Sequence, residues 1–356
     1  MKIGILTFHC AYNYGAVLQC YALQKFLIQM GHDVSVIDYR PKSITNVYKW
    51  FKIRLILRKN LYKSVKEMFL LYGRKKRYDT FRRFSENYQR LAPVSSINEN
   101  PYDIILIGSD QVWNYDLTNG FDDYYWGNFP HPKNTLIISY AASMQDSWPN
   151  EMSIRIKQNL ENFRQISVRE ISLAAKLTEL SGGRRIFQVV DPTLLLDCED
   201  WDVLAKAPRM EKPYLLLFQV GRRNKKTEHI AEEMAKRQNL PILRLSTLVS
   251  WETSRMVMNT SPEEFVGLFK NASFVVCSSF HGTVFSLIFN RPFVSVRMRE
   301  GRDNRVENLL GQLGLTDHFV DVLNKDSDYT YNSVSEGLKA LKKNSVDYIT
   351  SLDKLL

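Results

Sequence analysis

The feature that most constrains this chain is a strand-and-helix pattern that runs through its first half and then begins again. Residues 2–8 (KIGILTF) are a short apolar run followed by the loop HCAYNYG. Leu18, Ala22 and Phe26 then recur every four residues beside Leu23, Leu27 and Met30, Gly31 supplies a natural C-cap, and DVSVIDY reads as the next strand. Such a βαβ unit implies a parallel sheet whose ligand-binding loops lie at the C-terminal ends of its strands. Further apolar runs at 103–108 (DIILIG), 135–139 (TLIIS), 166–168 (ISV) and 185–190 (RIFQVV) predict a sheet of about six strands, which suits one Rossmann-like domain.

Asp191-Pro192 ends that half. After the polar connection CEDWDVLAKAPRMEKP the pattern restarts with YLLLFQV (214–220), a helix near 227–238 and the strand PILRLS (241–246). Ser261-Pro262-Glu263-Glu264 is a capping box with proline at the first helical position, and its helix is expected to end near Asn271. A strand at 273–278 (SFVVCS), a helix starting near His281, a strand at 293–296 (FVSV) and a helix over RVENLLGQLGL complete a second half. A chain of 356 residues, at roughly 150 per domain, has room for both. The expected domains are 1–196, with an insertion at 40–90, and 212–325; a helical segment over 326–356 can pack back across them.

The formal net charge is +10, which taken whole suggests nucleic acid, a membrane surface or a small anion as partner. Residues 40–90, however, hold sixteen Lys and Arg against Glu67, Asp79 and Glu86, a net +13, so the rest of the chain is −3. Trp50, Phe51, Tyr62, Phe69 and Tyr72 lie among those charges. The segment predicts helices that either rest near an anionic membrane face or form a solvated insertion. No nucleic-acid partner is expected. No apolar run approaches the roughly 18 residues a membrane span needs, and MKIGILTF leads directly into the strand pattern instead of a signal peptide. A cytoplasmic protein is therefore expected, with peripheral contact at the inner face of the membrane through 40–90. Cys10, Cys20, Cys198 and Cys277 are scattered without a CxxC pair, so they are expected as small buried side chains, with no metal and no disulfide framework.

The candidate chemistry sits where strands end. In the first loop Gly15 stands alone among Tyr12, Asn13 and Tyr14, whereas a dinucleotide fingerprint needs several glycines; that reading fails even with Asp38 at the end of the second strand. Asn13 either holds a polar ligand or caps the helix. GSDQVWN (108–114) places Ser109, Asp110 and Gln111 after an apolar strand, as ligand or acid–base groups or as a turn carboxylate bonded to backbone N–H groups. SVRE (167–170) puts Arg169 at a strand end, to clamp an anion or to pair with Glu170 or another acid. The sharpest pattern is SSFHGTVFSLIF (278–289). Ser278 and Ser279 end a strand, and Phe280-His281-Gly282 opens a helix whose first amides and dipole favour an anion, with glycine permitting close approach. His281 there either becomes a proton donor once an anionic ligand is bound or is a structural histidine, and the serines before it and the glycine after it favour the donor. RMREGRDNR (297–305) carries Arg297, Arg299, Arg302 and Arg305 with Glu300 and Asp303, as an anion clamp or as a solvated loop.

Together NYGAVLQCYAL (13–23), GSDQVWN, SYAAS (139–143), SVRE, VDPTLLL (190–196), SSFHGTVFSLIFNRPF and GRDNR resemble the polysaccharide pyruvyltransferase family, in order and over residues 1 to about 320. The resemblance implies an α/β fold of two Rossmann-like domains similar to the B-type glycosyltransferase architecture, with the active site in the inter-domain cleft. It also implies transfer of pyruvate from phosphoenolpyruvate to two hydroxyls of a sugar, forming a cyclic ketal and releasing phosphate, on a surface polysaccharide or its lipid-linked oligosaccharide precursor. No cofactor is implied beyond that donor. His281 corresponds to the family's motif histidine, as general acid or phosphate contact. Arg169 would hold the donor's carboxylate or phosphate, Ser278, Ser279, Gly282, Asn13 and Gln111 would contact substrate, and Asp110 would take a hydroxyl proton. This chain departs from members that carry arginine two residues before the histidine, since it has Ser279 there; Arg302 or Arg305 is the candidate replacement. The alternative on the same fold is a nucleotide-sugar-dependent glycosyltransferase.

Overall fold

The structure, a computed structural model, describes residues 1–51, 61–145, 147–208, 212–221, 223–246, 256–257, 260–298 and 303–356; for 61–69, 246 and 256–257 it describes the backbone alone. The chain divides into two compact units. One comprises Met1–Tyr48, Ser85–Leu196 and Leu338–Leu356, the other Lys49–Phe84 and Asp197–Gly337. The basic segment is thus shared between them, and most of the C-terminal helix belongs with the first.

In the first unit β1 (Lys2–Leu6), β2 (Asp33–Ile37), β3 (Leu91–Ala92), β4 (Ile104–Ile107) and β5 (Leu136–Ser139) form one parallel sheet in the order β3-β2-β1-β4-β5. Chain order reverses between β1 and β4, so loops after those strands diverge and leave a crevice at their C-terminal ends. β1 and β4 are inner strands covered on both faces, which explains why they read as unbroken apolar runs: Ile104 to Ile107 are all fully buried. The ISV and RIFQVV runs become β6 (Ser167–Val168) and β7 (Phe187–Gln188), which pair in parallel as a sheet of their own and touch β5 and the residues after it through the bridges Ile138–Gln165 and Ala142–Val168.

The helix Tyr14–Gln29 begins at Asn13, whose side-chain oxygen accepts the Gly15 N–H at 3.0 Å. The C-terminal helix Ser335–Ser351 is anchored in the first unit. Tyr348 donates its hydroxyl to the Ser139 carbonyl (2.8 Å) at the end of β5, and the Val190 N–H donates to Ser345 Oγ (2.8 Å) just beyond β7.

The second unit repeats the plan. β8 (Leu215–Gln219), β9 (Ile242–Ser246), β10 (Met256–Val257), β11 (Phe274–Cys277), β12 (Phe293–Val296) and β13 (Phe319–Val320) are parallel in the order β10-β9-β8-β11-β12-β13. The helix Pro262–Asn271 starts on the expected capping box, with the Ser261 N–H donating to Glu264 Oε2 (2.8 Å) and the Glu264 N–H to Ser261 Oγ (3.3 Å). Its Gly267 is required by packing, because a Cβ there would lie 1.7 Å from the Lys206 carbonyl oxygen. Phe218, Phe265, Phe269, Phe285 and Trp201 fill the space between these helices and the sheet through edge and tilted ring contacts.

Candidate active site

Five of the sequence motifs that are far apart in the chain meet in the first unit. β4 ends at Gly108, which has φ +115° and no room for a side chain, since a Cβ would sit 2.4 Å from the Tyr140 carbonyl oxygen. Asp110, two residues on, has φ 64°, a left-handed conformation that a non-glycine residue seldom adopts. Its backbone carbonyl accepts the N–H groups of Val112 (2.9 Å) and Ser143 (3.1 Å), and its Oδ1 accepts the Gln111 N–H (2.9 Å). Among the described residues its Oδ2 takes no hydrogen bond, and Asp110 and Gln111 are both half-buried. SYAAS is joined to SVRE by the Arg169 N–H on the Ala142 carbonyl (3.2 Å), and Ser143 Oγ donates to Glu170 Oε1 (2.8 Å). The first helix reaches the same place through Gln19 Nε2 on Thr7 Oγ1 (2.9 Å), whose hydroxyl donates to the Ser109 carbonyl (3.0 Å).

Arg169 lies inside this network. Nε donates to Glu170 Oε1 (3.2 Å) and one terminal nitrogen to Asp191 Oδ2 (2.7 Å), and the side chain is 4% exposed. Asp191 is held in turn by the Thr193 N–H (3.0 Å) and hydroxyl (2.6 Å) and by Ser109 Oγ (3.5 Å). Burial pulls the guanidinium pKa down, but Glu170, Asp191 and Asp110 more than offset it and raise it above its ordinary value. Of the two roles open to Arg169, the structure shows the ion pair, with Glu170 and with Asp191. The pairs tie together the loops beside Asp110, and Asp191, 22 positions further along the chain, is a member of the site that strand-end reading alone does not single out.

The second unit holds the histidine motif. β11 ends at Cys277, and the helix Phe280–Ile288 is capped by Ser279, whose Oγ accepts the Gly282 N–H at 3.1 Å. Ser278 donates its N–H to the Phe218 carbonyl (3.2 Å) at the end of the neighbouring strand. Gly282 turns its bare face inward: a Cβ there would meet Cys277 Cβ at 2.8 Å and Phe218 at 3.1 Å, so the glycine serves the close approach of helix to sheet. Behind the turn Cys277, Thr283 and Ser295 share a buried hydroxyl and thiol network, with Thr283 and Ser295 2.6 Å apart. His281, half-buried, occupies the first turn, where the helix dipole is positive.

Arg305 brings a cation to this turn. Its guanidinium lies 5.8 Å from the ring centroid of Phe280, the residue before His281 in the chain. Arg297 is engaged elsewhere, with Glu307 (3.0 Å), the Phe319 carbonyl (3.2 Å) and the Phe319 ring. Arg299 and Arg302 lie outside the described residues. The structure therefore gathers Ser278, Ser279, His281, Gly282 and Arg305 at one helix start, and separately Asp110, Gln111 and Arg169 in the first unit. Asn13 stands apart as a cap.

Missed by strand-end reading was His9. It follows β1 and is fully buried, with Nε2 2.8 Å from Asp38 Oδ1, at the end of the neighbouring β2. The signal was an apolar run ending at a histidine, one strand away from a run ending at an aspartate.

All three cysteines next to these elements, Cys10, Cys20 and Cys277, are buried, and burial pushes the Cys10 thiol up to about 11, so it is not a nucleophile near neutral pH. Among the described residues no cluster of His, Cys, Asp and Glu is arranged to hold a metal ion, and no helix is long and apolar enough to cross a membrane.

Two parallel sheets in Rossmann order, each with polar side chains at its switch point, define an α/β fold of two Rossmann-like units. The fold is shared with a protein of Listeria monocytogenes provisionally assigned as a UDP-N-acetylglucosamine 2-epimerase, at 11% identity and TM-score 0.52, covering 100% of this chain and 97% of that one. The UDP-GlcNAc 2-epimerase of Methanocaldococcus jannaschii aligns at 13% identity and TM-score 0.50, over 98% of this chain and all of its own. No curated protein matches the sequence. The sequence model of the polysaccharide pyruvyl transferase family matches residues 13–298, and the chain belongs to that family of transferases.

Proposed function

We propose that this protein transfers pyruvate from phosphoenolpyruvate to two hydroxyls of one sugar residue, forming a cyclic ketal and releasing phosphate. The family match carries the reading, because it spans every motif at which the site residues stand except GRDNR (301–305). The geometry supports it in two ways. A small donor with about three negative charges suits a helix N-terminus flanked by Ser278, Ser279 and Arg305, with no glycine-rich dinucleotide loop. A half-buried Asp110 with one open oxygen suits a group that accepts a hydroxyl proton.

In this mechanism an acid, His281, protonates the methylene carbon of the enol, and the carbon that bears the phosphate becomes cationic. One sugar hydroxyl attacks that carbon and gives up its proton to Asp110. The carbon–oxygen bond to phosphate then breaks, phosphate departs with its electron pair, and the second hydroxyl closes the ring as it loses its proton. Arg305 takes the place of the arginine absent at position 279 as phosphate ligand. Arg169, locked between Glu170 and Asp191, positions Asp110. The described part of 40–90 supports electrostatic contact with an anionic membrane: Lys75, Lys76, Arg82 and Arg83 are exposed, whereas Phe81 and Phe84 are buried.

The test is to incubate the protein with phosphoenolpyruvate and lipid-linked or surface glycans and to follow inorganic phosphate. Glycan-dependent phosphate release is expected. Turnover of a sugar nucleotide without release from phosphoenolpyruvate would replace this reading with the glycosyltransferase one.

A further inference from the structure

The first unit carries a polar constellation that the steps above do not use. β1 and β2 are neighbours, with Ile5 opposite Val36, so residues just beyond their C-terminal ends come together at the sheet edge where parallel α/β folds bind ligands. There His9 Nε2 meets Asp38 Oδ1 at 2.8 Å, and Nδ1 meets the Thr7 carbonyl at 3.2 Å. Arg40 Nε donates to the same Asp38 oxygen at 2.5 Å. Oδ1 therefore receives two donors, while Oδ2 accepts none among the described residues, and the carboxylate is 29% exposed. Burial would raise the Asp38 carboxyl, but hydrogen bonds from His9 and Arg40 hold it below its ordinary value.

Tyr39, between Asp38 and Arg40 in the chain, is taken up in an aromatic stack that continues from Tyr124 to Phe129. Tyr39 stacks on Tyr124, with ring centroids 4.2 Å apart and planes at 23°, and both are half-buried. Tyr39 donates its hydroxyl to Asp122 Oδ2 (3.0 Å), and Asp122 Oδ1 accepts the Tyr124 N–H (3.1 Å), so the stack is locked. Arg40 is 41% exposed, and Nε is its one hydrogen-bonding nitrogen among the described residues.

An ionised carboxylate with one open oxygen repels phosphate and carboxylate ligands, and the guanidinium on its other oxygen repels a metal cation. What the set complements is an uncharged ligand rich in hydroxyls: Oδ2 accepts from a hydroxyl, and the Arg40 nitrogens donate to an adjacent oxygen. We propose that Asp38 and Arg40 form a binding site for adjacent hydroxyls of a carbohydrate, with His9 as the buried positioning residue that fixes the Asp38 carboxylate. The carbohydrate class rests on the acceptor proposed above; the site itself rests on the geometry.

The experiment is an array of bacterial surface glycans probed with the full chain in the absence of phosphoenolpyruvate, followed by titration of the best-retained glycan. Asp38→Asn is expected to weaken its binding tenfold or more. His9→Leu is expected to weaken it several-fold, and His9→Gln, which keeps a donor toward Asp38, to restore most of it, a rescue that loss of packing would not give. Thermal unfolding of each variant identifies any that fails to fold, and for those Arg40→Met provides the reading on a surface side chain, with a several-fold loss expected. Equal binding by Asp38→Asn, or no glycan retained by the wild type, overturns the proposal. Glycan binding through Asp38 without phosphate release would leave this site standing and remove the pyruvyl reading; phosphate release that Asp38→Asn leaves untouched would do the reverse.

Discussion

His281 and Arg305 are the residues on which the chemistry turns, and they act differently on the rate. If His281 protonates the enol, His281→Ala should lower kcat by about 100-fold or more while the protein still melts cooperatively, and unchanged turnover would remove it from the mechanism. Arg305→Met should instead raise the donor KM by about tenfold, the scale of one charge-assisted hydrogen bond, with a smaller effect on kcat. The two contributions were unequally legible. His281 stood out because serines, a histidine and a glycine at a strand-to-helix junction lie within five positions. Arg169 was visible as a cation at a strand end, but the partner that decides its role, Asp191, is remote in sequence and adjacent only in the fold. The pairing of His9 with Asp38 was hidden for the same reason, since it depends on β1 lying next to β2.

Elements with local causes were read directly. The Ser261–Glu264 capping box lies within one helical turn, and β12 is the run FVSV as written. Strands of two residues, such as β3 (Leu91–Ala92) and β13 (Phe319–Val320), carry no periodicity and emerge only from their neighbours, while β6 and β7 left the main sheet to pair with each other. Two predictions belong here. Gly267→Ala forces a Cβ into the Lys206 carbonyl, and a denaturant midpoint should report a loss of about 1–3 kcal/mol or more. Glu228, on the helix Lys225–Arg237, accepts from Arg223 (3.0 Å) and Arg244 (2.9 Å). Burial pushes its carboxyl up, but those two hydrogen bonds hold it below the ordinary 4.5, so its contribution is present at neutral pH and lost as pH falls below that value. Glu228→Gln should therefore be less stable than wild type at pH 7, with the gap in melting temperature closing under acid; a gap independent of pH would refute the ion-pair account.

For the whole molecule, the +10 charge is concentrated in one segment, and its exposed lysines and arginines predict salt-sensitive association. Vesicles containing anionic lipid should retain the protein at low salt and release it at high salt, and absence of retention would leave the segment as a solvated insertion. Two Rossmann-order sheets in one chain were legible from the restart of the apolar pattern at Tyr214, because inner parallel strands are apolar throughout and bounded by turn residues. What leaves the enzyme decides between the pyruvyl and the glycosyl reading. The most direct measurement is mass spectrometry of surface glycans incubated with the protein and phosphoenolpyruvate: a glycan heavier by one pyruvate less one water, lost on mild acid treatment, is the predicted product, and glycans unchanged in mass or extended by a sugar unit from a sugar nucleotide would contradict the account.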